Sequence, residues 1–184
     1  MRVDNNMAIA TTQVGTDRAS GAGCAGPAAR MTAREVLEAL LEHHKRAALV
    51  PELTISDETA RAYATPENPI PTSRRIDALM FQQLERTAIE IKVSVADAKR
   101  ETWQKVWPWM RVCHRFVYAV PAGLLDAPPV YGAGLWWVHP DGRVEVRRRC
   151  KINTTPEPLP QSVVQTLAYR IAGRSTIEPK VAEL

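Results

Sequence analysis

The chain has 184 residues, of which 45% are hydrophobic and 24% charged, and carries a formal net charge of +4 with an isoelectric point near 9.1. That length suits one domain with tails and a core that needs no disulfides. No apolar run approaches the roughly 18 residues of a membrane span, and Cys24, Cys113 and Cys150 are too scattered for a cysteine-ligated zinc or iron–sulfur site.

Residues 1–30 lack hydrophobic periodicity and read as a disordered tail, without the apolar centre of a signal peptide; the expected location is cytoplasmic. From Thr32, the spacing of Val36, Leu37, Leu40 and Leu41 predicts a helix to about Arg46, with Thr32 as N-cap and Glu35 as its capping-box partner. Leu49 to Ile55 reads as a strand interrupted by Pro51. Residues 56–73, with three prolines, read as an inserted loop with room for one short helix and for ligand contacts. Two β-like runs follow, Arg75–Phe81 and Thr87–Val93. Val95 to about His114 is helical in character, with a break expected near Pro108, and Arg115–Val120 is a strand stopped by Pro121-Ala122-Gly123. Gly134–Val138 and Val144–Arg148 form a second hairpin around Asp141-Gly142, and Pro160 to about Gly173 is an amphipathic helix. One domain over 31–173 results, with a flexible tail at 174–184.

The first hairpin carries the chemistry. Asp77 and Glu90 are thirteen positions apart, and polar Gln82, Gln83, Glu85 and Arg86 surround the reversal; pairing about its midpoint sets Asp77 opposite Glu90. Directly opposed side chains share a face, with Cβ atoms roughly 4.5–5.5 Å apart. Period-2 alternation adds Lys92 to that face and turns Ile89, Ile91 and Val93 inward. Two carboxylates and an ammonium then converge, which suits a metal-dependent nuclease.

Asp77, Glu90 and Lys92, set in the order helix, hairpin, helix, strand, resemble the core motif of the PD-(D/E)XK nuclease superfamily. The run Ile89-Glu90-Ile91-Lys92-Val93-Ser94-Val95-Ala96-Asp97, then Arg115 to Pro121, then Ala133-Gly134-Leu135, is similar to its MmcB-like DNA-repair branch. The resemblance covers about Arg74 to Arg149. It implies an α/β fold with a restriction-endonuclease-like core, a mixed central β-sheet flanked by α-helices, and divalent-metal-dependent cleavage of a phosphodiester in DNA. It also implies a further acid on the first helix, for which Glu35 is preferred over Glu38 and Glu42, although spacing cannot choose and Glu35 has a capping role as its alternative.

The chemistry follows from the residue types. A phosphodiester repels nucleophiles and has a poor leaving group, and a hard cation held by carboxylates offsets both. Mg2+, or Mn2+ in its place, would take Asp77 and Glu90 as ligands, with the Ile91 carbonyl as a third. Lys92 would orient the attacking water or stabilise charge on the phosphorane. Arg75, Ser94, Lys99, Arg100, Gln104 and Lys105 are candidate nucleic-acid contacts; capping is the preferred role for Ser94, and a solvated face explains the cations equally well. Trp103 and Trp107 are expected in the core, with base stacking as the alternative, and one of Trp136 and Trp137 is expected to face outward. A catalytically idle DNA- or protein-binding member, or an RNA-cleaving effector, are the other readings. A homodimer or a partner protein would supply specificity.

Overall fold

The computed structural model describes residues 31–173 apart from Pro66 and Asn68; the expected tails at 1–30 and 174–184, and Cys24, lie outside the described residues. Helix α1 (Ala33–His43) starts where the sequence places it. The Glu35 N–H donates to Thr32 Oγ1, and the Thr32 N–H donates back to the Glu35 carboxylate at 2.7 Å, closing the capping box. Val36 and Leu40, one turn apart, are fully buried, each contributing roughly 1.5–3 kcal/mol of apolar burial.

Strands β1 (Ala48–Ser56), β2 (Ser73–Gln82) and β3 (Glu85–Ile91) form an antiparallel meander. β1 is an edge strand, which is why Pro51 is tolerated in it despite lacking a donor. Glu52 beside it takes a φ of 50°, and Arg170 of the last helix donates to the carbonyls of Pro51 and Glu52, bracing the kink. Between β1 and β2, the expected loop is tied down by helix α2 (Glu58–Tyr63). Its N-cap Asp57 accepts from the Ala60 N–H at 3.0 Å and from Arg74 at 2.9 Å. β2 reverses into β3 through Gln83 and Leu84, both in the left-handed region, so a two-residue type I′ turn is built without glycine or asparagine.

Helices α3 (Val95–Ala98) and α4 (Trp103–Val112) lead to β4 (Arg115–Pro121), which pairs parallel to β3; β5 (Gly134–Val138) pairs parallel to β4, and β6 (Val144–Arg148) returns antiparallel before α5 (Gln161–Ile171). Among the described residues the six strands form one mixed sheet in chain order. Helices cover both faces. α1 packs on Ala78, Met80, Ile89, Ile91, Val117 and Ala119, whereas α4 and α5 pack on the face of Leu79, Ala88, Phe116 and Tyr118. The architecture is thus α/β, and no helix among the described residues is long and apolar enough to cross a membrane.

Three expectations need correction. The helical break falls at Lys99–Thr102, not at Pro108, whose ring is buried inside a continuous α4. Neither Trp136 nor Trp137 turns to open solvent, because both sheet faces are covered. Trp136 packs on the α1 side with its ring 5.3 Å from His44, and Trp137 packs on the other and donates to the Leu125 carbonyl at 2.7 Å. Trp103 and Trp107 are 44% and 39% exposed rather than core, their rings 5.1 Å apart. Cys113 does fill the core, and burial pushes its thiol up to about 12.

Candidate active site

The β2–β3 register, carried one step beyond Ala78↔Ile89, faces Asp77 with Glu90, and the parallel β3–β4 pairing sets Tyr118 on the other side of Glu90. Lys92 lies one residue past β3, its N–H donating to the Ala119 carbonyl at 3.1 Å. Two positions from Glu90, it projects to the same face and donates from Nζ to Glu90 Oε1 at 2.8 Å. Asp77 reaches across the end of the ladder, where its Oδ2 accepts from the Ile91 N–H at 2.7 Å. The three core residues of the motif therefore meet at the carboxyl end of β3, the end at which open α/β sheets place ligands.

Two further acids join them. Asp97 Oδ2 and Glu101 Oε1 each lie 3.3 Å from Lys92 Nζ. Ser94 sets Asp97 by capping α3, accepting from the Asp97 N–H at 3.1 Å. The N–H groups of Arg100 and Glu101 then return to the carbonyls of Asp97 and Ala98, a tight 3₁₀-like turn, and Thr102 is extended. That break swings Glu101 inward, where its side chain is only 6% exposed and its Oε2 lies 3.4 Å from the Tyr118 hydroxyl, which donates to it. A continuous helix over 95–114 would have hidden this residue from any sequence argument. A buried acid without a nearby glycine or proline leaves no cue.

Electrostatics mark the cluster as strained toward protonation. Burial, then the charge of Asp77, pushes the Glu90 carboxyl up to about 7 against the pull of Lys92. Burial likewise raises Asp77, opposed by the Ile91 N–H and by Lys92. Burial alone would depress Lys92, but Glu90, Glu101 and Asp97 outweigh it and hold the ammonium above its ordinary range. Tyr118 is raised by burial and then by Glu101, so it stays a neutral donor. Among the described residues no group of three or more histidine, cysteine or acidic side chains is placed to hold an ion. The donor set that remains is two hard carboxylates whose mutual repulsion a cation would relieve.

The first-helix acids do not reach this cluster. Glu35, preferred from the sequence, is exposed; the backbone N–H of Thr32 and then its hydroxyl occupy its carboxylate and hold it below the usual range. Glu38 bonds Arg34 and Glu42 bonds Lys45. Glu35→Ala is accordingly expected to leave the acid cluster unperturbed while slightly lowering the melting temperature through the lost capping box. Of the proposed nucleic-acid contacts, Lys105 approaches Glu101 at 3.6 Å and bonds the Arg100 carbonyl, and Arg100 pairs with Asp97 at 3.0 Å. Arg75 lies 3.8 Å from Glu52, and Lys99 and Gln104 are exposed without joining the cluster. Ile91 is buried in β3 and offers its N–H to Asp77.

No family model and no curated protein matches the sequence. The solved structure of a protein of unknown function from Silicibacter pomeroyi is similar to this chain, with 16% identity over 78% of this chain and 88% of that one, and a TM-score of 0.47.

Proposed function

We propose that the protein is a metal-dependent phosphodiester hydrolase of the PD-(D/E)XK type, acting on DNA. The observation that carries this reading is the meeting of Asp77, Glu90 and Lys92 at one strand end. The order of helix, three-stranded meander, helices and parallel strand supports a restriction-endonuclease-like core, and the runs Ile89 to Asp97, Arg115 to Pro121 and Ala133-Gly134-Leu135 resemble its MmcB-like branch.

The donor set fits Mg2+ or Mn2+. Magnesium is held by one or two carboxylates plus water and phosphate oxygen, so Asp77 and Glu90 suffice as protein ligands, with the Ile91 carbonyl as a further one. When bound, the ion would polarise the phosphoryl oxygen and lower the pKa of a water. Lys92 stands ready to orient that water or to stabilise negative charge on the phosphorane, and its engagement by Glu90, Asp97 and Glu101 fixes its position before substrate arrives. Glu101 and Tyr118 are positioning residues for Lys92.

A second reading rests on that same engagement. With three acids around a lysine side chain only 7% exposed, the cluster would be a structural ion network in an idle DNA- or protein-binding member. Incubation with duplex, single-stranded and branched DNA and with RNA, in magnesium or in chelator, separates the readings. Magnesium-dependent cutting of DNA is expected; binding without cutting would assign the idle role, and cutting of RNA alone would assign an RNA-cleaving one.

A pH dependence follows from Glu90. Only the carboxylate form binds a cation, so cleavage and magnesium affinity are expected to rise as pH climbs through about 7. Stability runs the other way. Because the folded carboxyl titrates above its ordinary 4.5, the folded state holds the extra proton, and metal-free stability falls as pH rises from that value through about 7. Melting curves across that window should show the fall in chelator and a smaller one in magnesium.

A further inference from the structure

A cavity of about 440 Å³ lies apart from the acid cluster, along α4 at the amino end of β4. Trp103 and Trp107, one helical turn apart, form one wall, their rings tilted by 31° to each other. Folding leaves 44% of Trp103 and 39% of Trp107 exposed, apolar surface whose burial would stabilise the protein by about 2 kcal/mol or more. Tyr131, 90% exposed, stands at the rim. Arg111, Arg115 and Lys151 also line the cavity, against a single carboxylate, Glu157. Glu157 engages Arg111, and Arg115 bonds Glu85, but Lys151 has no ionic partner among the described residues. An aromatic wall with excess positive charge fits a ligand with a flat π-face and an attached anion.

We infer that this cavity binds an unpaired nucleobase of the substrate strand, with Lys151 and Arg115 taking the phosphates beside it. The inference rests on the nuclease reading above and adds a substrate class to it: a nucleic acid with a single-stranded segment next to the cleaved bond. The path between the two sites is short in sequence. Glu101 touches Lys92, and Trp103, two residues later, opens both α4 and the aromatic wall. A duplex keeps its bases stacked within itself and cannot offer a face to Trp103 and Trp107, whereas an unpaired base stacks on indole irrespective of its identity. A strand is favoured over a free mononucleotide because three cations, Arg111, Arg115 and Lys151, line the one cavity against a single carboxylate.

The test uses the full chain in chelator, where nothing is cut. Fluorescence anisotropy would measure a short labelled DNA strand, the same sequence as blunt duplex, an RNA strand and a mononucleotide. The wild type is expected to bind a strand at least tenfold more tightly than duplex or mononucleotide, with quenching of tryptophan fluorescence. Trp103→Ala/Trp107→Ala should weaken strand binding roughly thirtyfold, two stacking contacts being lost, and leave duplex binding unchanged. Lys151→Glu should weaken it too, with a steeper loss at low salt. Both tryptophans are half-exposed, so unaltered circular dichroism is expected, and Trp107→Phe should recover much of the loss. Equal binding of strand and duplex, or mononucleotide bound as tightly as the strand, would overturn the inference, as would a double variant that binds strand normally. Failure of the nuclease reading is distinguishable: strand binding and quenching would persist while magnesium brings no cleavage. Failure of this inference alone would leave magnesium-dependent cleavage indifferent to the tryptophan pair on every substrate.

Discussion

Lys92→Met is expected to reduce metal-dependent cleavage at least about a thousandfold and to destabilise the protein at neutral pH by about 3 kcal/mol. Methionine keeps the length of the side chain and its contact with the core but removes the ammonium that Glu90, Asp97 and Glu101 share. Asp97 retains Arg100, and it is 39% exposed, so it loses little. Glu101 is left 6% exposed with Lys105 at 3.6 Å and the Tyr118 hydroxyl, a poor substitute for a buried cation. Glu90 loses the partner that restrains its rise and takes up a proton at neutral pH. The destabilisation should therefore shrink on acidification, as protonation neutralises the acids. Denaturant titrations at pH 5 and pH 8 check this: equal losses at both would mean that packing, not charge, is what Lys92 contributes. Because the cleavage loss would follow from unfolding as well as from chemistry, it is to be measured below the variant's melting temperature.

Asp77→Asn separates activity from stability in the opposite sense. Asparagine keeps an oxygen to accept from the Ile91 N–H, so the hairpin end is held as before. It removes a charge that burial makes costly and that raises Glu90. Cleavage is expected to fall at least about a thousandfold, since a carboxylate ligand and its charge are lost. Stability in chelator is expected to hold or to rise by about 1 kcal/mol, the pattern of a functional site built at the expense of the fold. Magnesium, which should raise the melting temperature of the wild type, should do so much less for this variant. Full activity in Asp77→Asn would remove Asp77 from the site, and a large loss of stability would make it a structural residue.

The hairpin that positions these groups was legible in the sequence because its strands alternate: inward Ile89 and Ile91 force Glu90 and Lys92 onto the other face, and pairing about the midpoint then selects Asp77. The β5–β6 hairpin was legible through Gly142, whose φ of 83° is what the Asp141-Gly142 pair advertises. The Gln83-Leu84 turn carries no such residue, and the strands on either side impose its left-handed geometry. Asp97 and Glu101 were not assigned to the site because the chain break at Lys99–Thr102 has neither glycine nor proline to announce it. Glu35 illustrates the converse. Its capping box was readable from local spacing, whereas α1 packs on the Ile89 and Ile91 face and so lies across the sheet from Glu90 and Lys92. Trp103 and Trp107 have the spacing of a core pair, and only the packing of α4 by Val106, Trp109 and Val112 turns them outward.

The proposed activity depends on two opposed carboxylates at the end of a hairpin seating a divalent cation. Isothermal titration of magnesium into the wild type, Asp77→Asn and Glu90→Gln at pH 7, in two buffers of different ionisation enthalpy, tests it most directly. The wild type is expected to bind magnesium with proton release from Glu90, and both variants to lose that binding. Heat indistinguishable among the three proteins, or none from the wild type, would contradict it.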